Sequence, residues 1–338
     1  MRIAVLGLGF MGSTHLKALK NIPGAELAAV VSGDETKLSG DLRSIQGNLG
    51  GPGEQMDFSA VRKYRTVEEA LRDPDIEAVD ICLPTDRHAP VAIEALRAGK
   101  HVLVEKPMAL NVEDAERMLA EAKAANRVLM TGQVLRFIAS YRGASNILRS
   151  QKLGSVHSAL FRRRCAAPAW SKWLASPEKS GGGVFDLLIH DIDYCLHLFG
   201  KPESVSAQGY VNLERGIDWI LAQFHYPGVG SVVVTGGWHH PKAYPFSMEF
   251  TIVADGGTLE FSSAGRPLTL YSAEGGEEAI PGSDADPFES ELSYFIECAA
   301  SGRQPELCPP EESAQAVRLA QYMLKSRDRN GERLTCKF

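Results

Sequence analysis

The chain opens on MRIAVLGLGFMG, residues 1–12, where a short apolar run leads directly into closely spaced glycines. The run Ile3–Leu6 is typical of a buried β-strand, and the amphipathic stretch after the glycines predicts a helix. Gly7, Gly9 and Gly12 therefore form a G-x-G-x-x-G pattern in the strand, turn and helix setting of a dinucleotide fingerprint. In that setting the first glycine permits a tight turn, the second lets a pyrophosphate approach the backbone and the third allows close helix packing. The alternative, a glycine turn that binds nothing, is disfavoured by this setting.

The alternation of strand and helix patterns continues to about residue 130. Apolar runs predict strands at 3–6, 27–31, 78–83, 102–104 and 128–131. Amphipathic segments predict helices at 11–21, 67–73, 88–98 and 111–125. This alternation indicates βαβ units, so we predict an α/β fold with an N-terminal Rossmann domain built on a doubly wound parallel sheet. The glycine-rich segment 39–57 interrupts the pattern and is predicted to be a surface loop near the adenine end of a cofactor.

After residue 150 the pattern changes to longer alternating strands joined by glycine-containing turns. Strands are predicted at 156–164, 205–213, 219–226, 231–238 and 250–253, and helices at 141–149, 184–199, 287–300 and 311–326. This indicates a C-terminal α+β domain with a large open, mostly antiparallel sheet. We divide the chain into an NAD(P)-binding domain at 1–131, a substrate and oligomerisation domain at 132–310, and a C-terminal helical segment at 311–338 that packs back on the first domain. The second face of the sheet predicts a homodimer or homotetramer.

The composition excludes several classes of protein. The 338 residues carry a net charge of −6 with no basic stripe, which argues against nucleic acid as a partner. The six cysteines are far apart and lack the spacing of a zinc site, so we expect free thiols and no metal. The chain starts on a strand and has no apolar run of about 18 residues, so we expect no signal peptide, no membrane span and a cytoplasmic location. The expected partners are small molecules.

The end of the second strand bears on the choice of cofactor. NAD-specific sites usually place an acidic residue there, which binds the ribose hydroxyls. Here the position holds Ser32, which carries no charge against a 2′-phosphate, and Lys37 or Arg43 downstream could pair with one. We therefore favour NADP(H) over NAD(H), while Asp34 keeps NAD(H) open. The equally weighted alternative is that residues 32–34 cap the next helix and Lys37 is a solvated charge.

Two polar motifs accompany this framework. The first, Glu105–Pro107, follows a predicted strand at the carboxyl edge of the sheet, where ligands bind in α/β folds. Taken alone, Lys106 would be interpreted as an ordinary surface lysine. The second motif is Gly181–Gly183 followed by a predicted helix, one face of which carries Asp186, His190, Asp193 and His197 at helical spacing. A solvated helix face usually favours Lys, Glu and Arg, so this stripe of Asp and His indicates function, with a routine amphipathic helix as the alternative.

Taken together, the motifs resemble the glucose-fructose oxidoreductase, inositol dehydrogenase and MocA (Gfo/Idh/MocA) family. The resemblance covers nearly the whole chain, and the combination is more specific than any of its parts. It extends over Gly7–Gly12, Leu83–Thr85 with His88, Glu105–Pro107, Gly132 with Arg136–Phe137, and Gly181–Asp193. The resemblance implies an oxidoreductase that transfers a hydride between NAD(P)(H) and a hydroxyl or carbonyl carbon of a sugar, polyol or related cyclic alcohol. It also implies a cis peptide bond between Lys106 and Pro107.

The site residues follow from the fingerprint and from the resemblance. Lys106, Asp186 and His190 match the family's catalytic positions. The residues expected to bind the cofactor are Gly7, Gly9, Phe10, Met11, Gly12, Ser32, Lys37, Pro84, Thr85, His88, Glu105 and Lys106. The residues expected on the substrate side are Gln133, Arg136, Trp170 and Asp193, of which the tryptophan offers an aromatic face on which a sugar could stack.

We expect His190 to exchange the proton of the substrate hydroxyl, while Lys106 binds the same oxygen and Asp186 orients His190 or binds a neighbouring hydroxyl. Two other classes remain open. A dinucleotide-sensing regulator of the same fold would lack chemistry, although the intact catalytic positions argue against it. An NAD-dependent glycosidase would oxidise and re-reduce its substrate on a retained cofactor. The sequence does not specify the sugar or polyol, because specificity depends on a few loop side chains.

Overall fold

The computed structural model of the protein describes residues 1–47, 53–168 and 172–338. The chain forms two compact units, which are Met1–Val134 with Asp286–Ala314, and Leu135–Ala285 with Gln315–Phe338. This grouping differs from the division drawn from the sequence, since residues 286–310 join the first unit and residues 315–338 join the second. The physical reason is that periodicity reveals which segments are helical, whereas the core that a helix enters depends on tertiary packing.

Within the described ranges the strands are β1 (Arg2–Leu6), β2 (Glu26–Val31), β3 (Arg62–Tyr64), β4 (Ala78–Ile81), β5 (His101–Glu105), β6 (Leu129–Gly132), β7 (Val156–Ala166), β8 (Ser204–Asn212), β9 (Ile217–Tyr226), β10 (Val229–His240), β11 (Ser247–Ala254), β12 (Gly257–Ser262), β13 (Arg266–Ser272), β14 (Glu277–Ala279) and β15 (Leu334–Thr335). The α-helices are α1 (Phe10–Leu19), α2 (Glu35–Leu38), α3 (Val67–Leu71), α4 (His88–Arg97), α5 (Val112–Ala125), α6 (Ala139–Arg149), α7 (Pro177–Ser180), α8 (Ile189–Phe199), α9 (Pro287–Ser301) and α10 (Pro310–Asp328). Short 3-10 turns lie at Thr85–Arg87, Val134–Arg136, Lys172–Ala175 and Leu213–Arg215.

The first unit contains a parallel sheet in the order β3-β2-β1-β4-β5-β6. Its central strands are buried almost throughout, because helices cover both faces of a parallel sheet. This confirms the predicted doubly wound Rossmann sheet. The sequence pattern missed β3, since Arg62–Tyr64 offers no apolar run. Helix α9 belongs to this unit and contacts α1, with the Phe288 ring 5.9 Å from the His15 ring.

The second unit contains a sheet in the order β14-β13-β12-β11-β7-β10-β9-β8-β15. Strands β7 and β10 are parallel, and the other neighbouring strands are antiparallel, which confirms the predicted open, mostly antiparallel sheet. Side chains alternate between its faces: Ala159 and Phe161 of β7 are buried, whereas Leu160 between them is 41% exposed. Helices α8 and α6 contact β7 and β13, respectively. The sequence analysis missed β12 to β15, of which β14 and β15 have only three and two residues.

The helix predicted over residues 184–199 is not a single α-helix. It begins with a π-helical turn at Val184–Leu188 and continues as α8. A π turn takes up an extra residue, so Asp186 lies in the π turn, whereas His190, Asp193 and His197 lie in α8. Turns of this kind occur frequently at functional sites.

Two further expectations concern loops and membrane spans. The segment 39–57 was predicted to be a surface loop, and its described residues contain no strand or helix beyond an isolated bridge between Asp41 and Gln55. Residues 48–52 of that segment lie outside the described part of the chain. No helix in the ranges that the structure describes combines the length and apolar character needed to cross a bilayer.

Candidate active site

The glycine fingerprint forms the turn between β1 and α1. Gly7 has φ +101°, and a Cβ atom there would lie 2.6 Å from the carbonyl oxygen of Cys82. A Cβ on Gly12 would lie 2.0 Å from the carbonyl oxygen of Gly7, whereas a Cβ on Gly9 would meet no described atom within 4 Å. The first and third glycines are therefore required by close packing, and the second opens onto free space beside the helix N-terminus. This cradle fits a dinucleotide pyrophosphate, which would lie where a side chain at Gly9 would project.

The side chains around this turn are partly accessible. Phe10 and Met11, in the first turn of α1, are both half-buried. Gly47 lies against the Phe10 ring so closely that a Cβ at residue 47 would be 2.0 Å from the ring. Any side chain at this position would therefore displace Phe10 or the loop that carries Gly47.

The residues after β2 form a helix cap. The Asp34 side chain accepts the backbone N–H groups of Thr36 and Lys37 at the start of α2, and the Ser32 hydroxyl accepts the backbone N–H of Asp34. Lys37 is half-buried, while the Arg43 guanidinium pairs with Asp41 at 2.7 Å. Asp34 therefore serves α2, as the capping alternative proposed.

The loop after β4 is joined to the loop after β5 by a buried histidine. The ring nitrogens Nδ1 and Nε2 of His88 lie 2.7 Å from the carbonyl oxygen of Pro107 and 2.8 Å from that of Leu83. Burial lowers the pKa of His88. Thr85 is also buried, and Pro84 is half-buried at the start of the 3-10 turn. His88 thus ties together the two loops that carry the expected cofactor contacts.

Glu105 and Lys106 stand at the carboxyl end of β5. The Lys106–Pro107 peptide bond is cis, as the resemblance implied. The Glu105 side chain is buried, and its Oε2 atom accepts the backbone N–H of Lys106 at 3.1 Å. Burial alone would raise the pKa of Glu105, but contact with His15 and the charge of Lys106 bring that pKa below its usual value. Contact with His15 and the charge of Lys106 therefore favour the ionised form of the Glu105 carboxyl group, and Lys106 next to it in the chain is half-buried.

Gln133 follows β6, the strand beside β5. Its backbone N–H donates to the Thr131 carbonyl at 2.8 Å, and the side chain is 1% exposed. Neither polar atom of its amide has a hydrogen-bond partner among the described residues. A buried amide without a partner is costly, so this side chain has unused capacity to bind a polar ligand.

In the second unit a tethered glycine loop starts the π turn. Gly181 and Gly182 have φ values of +72° and +75°, and the Gly183 N–H donates to Asp218 at 2.6 Å. Arg327 of α10 binds the other oxygen of Asp218 at 2.7 Å. Burial raises the pKa of Asp218 despite the charge of Arg327.

Asp186 and His190, which follow that loop, are both half-buried, whereas the apolar side chains between them are buried. The Asp218–Arg327 tether was not predicted from the sequence. The available signal was a carboxylate inside the apolar pattern of β9.

Two residues expected on the substrate side bind each other. The Arg136 guanidinium makes a bidentate ion pair with Asp193, at 2.8 Å from Nε to Oδ2 and 2.7 Å from Nη2 to Oδ1. Both side chains are fully buried in this pairing. A buried guanidinium requires a carboxylate partner, which accounts for the pair, and the expectation that these residues bind substrate stays a prediction. Trp170, the aromatic candidate, lies outside the described residues.

The structure therefore brings one group of predicted residues together in each unit. The first unit carries the fingerprint, Glu105, Lys106, His88 and Gln133 at the carboxyl edge of one parallel sheet, which is where doubly wound folds bind ligands. The second unit carries Asp186 and His190 on one helical segment. A Rossmann sheet with a fingerprint that leaves room for a pyrophosphate defines the class of dinucleotide-binding proteins.

Comparison with known proteins narrows the class to a family. Residues 1–133 match the family described as "Oxidoreductase family, NAD-binding Rossmann fold", and residues 141–260 match the "GFO/IDH/MocA C-terminal domain". The chain belongs to the Gfo/Idh/MocA family of NAD-binding oxidoreductases, which confirms the resemblance found in the sequence.

Individual relatives differ in how much of the chain they match. This chain is 33% identical over 321 residues to 4-carboxy-2-hydroxymuconate-6-semialdehyde dehydrogenase of Sphingobium sp. strain SYK-6, covering 90% of this chain and 92% of that one. It is 32% identical over 218 residues to myo-inositol 2-dehydrogenase of Thermotoga maritima, which is 64% of this chain but only 60% of that one. Among solved structures, levoglucosan dehydrogenase in complex with NADH and L-sorbose has a TM-score of 0.86 over 100% of this chain and 99% of that one; at 18% identity this shows a shared fold.

Proposed function

We propose that the protein is an NAD(P)-dependent dehydrogenase or reductase that acts on a hydroxyl or carbonyl carbon of a small sugar, polyol or cyclic alcohol. The observation that carries the proposal is a half-buried Lys106 directly after a buried Glu105, whose carboxylate accepts the Lys106 backbone N–H, at the carboxyl edge of a Rossmann sheet. Membership of an NAD-binding oxidoreductase family supports it independently. Bound NAD(P) would supply the hydride acceptor or donor.

The protein's own side chains carry out proton transfer, stabilise the developing charge and bind the substrate. His190 removes the proton of the substrate hydroxyl during oxidation and returns it during reduction. Lys106, as an ammonium, donates a hydrogen bond to the same oxygen and stabilises its developing negative charge. Asp186 orients His190 or binds a neighbouring hydroxyl. Gln133, with its unused buried amide, binds another polar group of the substrate.

The names of two relatives support two different substrate classes. The name of the myo-inositol 2-dehydrogenase relative supports a polyol, whose adjacent hydroxyls would suit several polar side chains. A carboxylated semialdehyde is the second candidate, because the relative named for such a substrate matches this chain over 90% of its length. An aldehyde suits the same residues once it is hydrated or closed to a hemiacetal, since the reacting carbon then carries a hydroxyl group. Both candidates therefore require the same base and the same ammonium.

NADP(H) is favoured over NAD(H) by the residues after β2. Ser32 places no charge beside a 2′-phosphate, and Asp34 is committed to capping α2. We expect Ser32→Asp to weaken NADPH binding by about 10- to 100-fold, equivalent to roughly 1.5–3 kcal/mol for the loss of interactions with a charged group. NADH binding should be unchanged or tighter, because the new carboxylate can accept hydrogen bonds from the ribose hydroxyls. Titrations that follow nicotinamide fluorescence measure both affinities.

The control for this experiment is Ser39→Asp, which adds the same charge at an exposed position at the end of α2. An equal loss of affinity for the two cofactors in Ser32→Asp would contradict the assignment, because it would indicate damage to the turn rather than repulsion of a phosphate.

A homodimer or homotetramer is supported by the open face of the second sheet. Three large apolar side chains of this face are strongly exposed: Leu160 at 41%, Leu221 at 39% and Tyr210 at 53%. Monomers rarely leave such side chains in water on one contiguous surface. We expect Leu160→Glu with Leu221→Glu to convert the protein to a monomer in sedimentation velocity, while Ala264→Glu in the exposed turn after β12 should not. A wild-type protein that sediments as a monomer at micromolar concentration would contradict this assembly.

A cytoplasmic location is supported by the six free thiols, four of which are buried.

The functional proposal itself is tested by incubating the protein with NAD⁺ and NADP⁺ and a panel of inositols, pyranoses and hydrated semialdehydes, with absorbance at 340 nm as the readout. Reduction with any member supports a dehydrogenase and identifies its substrate class. Tight cofactor binding with no reduction in either direction favours the regulator. Cleavage of an aryl glycoside on a retained cofactor, with no net reduction, favours the glycosidase.

A further inference from the structure

A histidine and three carboxylates meet inside the first unit. His15 of α1 is fully buried, and its Nδ1 atom lies 2.9 Å from Oδ2 of Asp80 in β4. Its Nε2 atom lies 3.1 Å from Oε1 of Glu105. Glu291 of α9 places a carboxylate oxygen within 4.8 Å of a ring nitrogen of His15 and of a carboxylate oxygen of Glu105. The Cys82 thiol completes the surroundings, 3.5 Å from both Nδ1 of His15 and Oδ1 of Asp80.

This geometry determines the protonation of His15. Each ring nitrogen faces a carboxylate oxygen, and a neutral imidazole would turn a lone pair toward one of them. The two close carboxylates therefore favour a proton on both nitrogens, and we assign the ring as an imidazolium. Burial alone would lower the pKa of His15, but the charge of Asp80 and contact with Cys82 raise that pKa well above its usual value. The cation is needed here because buried carboxylates are costly without a charged partner.

We propose that His15 is a positioning residue for Lys106 and acts through Glu105. Oε1 of Glu105 lies 3.1 Å from Nε2 of His15, an ion-pair contact without the geometry of a hydrogen bond, and Oε2 accepts the backbone N–H of Lys106. Asp80 fixes the ring from the opposite side, so the orientation of the carboxylate is set by a chain of contacts that starts in β4. The inference rests on the proposed function, in which Lys106 binds the reacting oxygen.

The contacts of Glu105 explain why its charge depends on His15. Its carboxylate faces His15, the Lys106 ammonium and the His88 ring, while burial favours its protonated form. Without the imidazolium, burial would dominate and the pKa of Glu105 would rise. A protonated Glu105 would no longer attract the ammonium, and its bond to the Lys106 N–H would weaken.

The kinetic test is the pH profile of kcat in the 338-residue protein with saturating cofactor. We expect His15→Gln to move the acid limb of the profile upward by at least about one pH unit, so that kcat falls roughly tenfold or more relative to wild type on that limb while the loss diminishes at high pH. Asp80→Asn, which keeps the size of the side chain, should shift the limb in the same direction. The control is His157→Gln, which removes an exposed histidine paired with Asp255. A His15→Gln profile that has the wild-type shape overturns the proposal.

A second readout does not depend on activity. In protein labelled with ¹⁵N in its nine histidines, one ring should remain doubly protonated at pH 7, above the usual pKa of 6.5, and its signal should be absent from His15→Gln. In Asp80→Asn this ring should lose a proton at lower pH. A neutral His15 ring at pH 7 overturns the proposal even if His15→Gln fails to fold. If the ring is charged but Lys106→Met keeps wild-type kcat, the proposed function has failed rather than the account of His15.

The same two pKa shifts define a window of stability. A lowered pKa for Glu105 stabilises the fold above the usual value of 4.5, and this contribution is lost as pH falls through the lowered pKa. A raised pKa for His15 stabilises the fold below the usual value of 6.5, and this contribution is lost as pH rises through the raised pKa. The difference in unfolding free energy between wild type and His15→Gln should therefore be largest between these two values. A difference that is independent of pH from 4 to 9 contradicts the charged pair.

Discussion

Replacement of His190 by alanine should lower kcat by about 10²- to 10⁴-fold, the range expected when a positioned general acid or base is removed. The binding of NADPH should be unchanged, because the glycine fingerprint lies in the other unit of the chain. Steady-state kinetics with a substrate identified in the panel, together with a fluorescence titration of the cofactor, measure the two quantities. Added imidazole should restore part of the rate, since it can accept the proton that His190 would accept.

The matched control is His197→Ala, which removes a second histidine from the same helix. His197 contacts Arg149, so its loss should affect stability more than kcat. If His190→Ala and His197→Ala gave the same small change in kcat, His190 would not be the proton acceptor.

Replacement of Lys106 by methionine should have an effect of similar size. Methionine approximates the length of the side chain but removes the ammonium, so the charge that develops on the substrate oxygen would lose its donor. We expect kcat to fall by roughly 10²- to 10³-fold, as when one such hydrogen-bond donor is deleted. The substrate KM should change less than kcat, because the interaction strengthens in the transition state.

Lys123→Met on the exposed last turn of α5 provides the control for this substitution. A Lys106→Met protein with wild-type kcat and a raised KM would show that the lysine only helps to bind substrate. It would also remove the reason for holding Glu105 as an ionised carboxylate.

Local patterns in the sequence were sufficient for the main elements of the fold. The run from β1 through Gly12 predicted the first sheet, because a strand, a glycine turn and a helix are all encoded within twelve neighbouring residues. Its neighbours followed from the same alternation of apolar runs and amphipathic segments. Strands such as β3 and β15 were missed because they have three and two residues and acquire their conformation by pairing with a longer strand.

The contacts of charged residues could not be predicted in the same way. His15 pairs with Asp80 across 65 positions, and Arg327 with Asp218 across 109, so neither pairing leaves a local pattern. A carboxylate within an apolar strand was the only signal, and it does not identify its partner. For the same reason Asp193 was assigned to the substrate from its place on a helical stripe, although the fold pairs it with a buried arginine.

The most direct test of hydride transfer follows deuterium from C4 of the nicotinamide into the product. The protein would be incubated with NADPH or NADH deuterated at either face of C4, together with the carbonyl form of each candidate substrate, and the products would be weighed by mass spectrometry. We predict an alcohol that is heavier by one mass unit with one deuterated face, and no such product in His190→Ala on the same timescale. Tight cofactor binding without deuterium in any product would contradict hydride transfer and would favour a dinucleotide-sensing regulator.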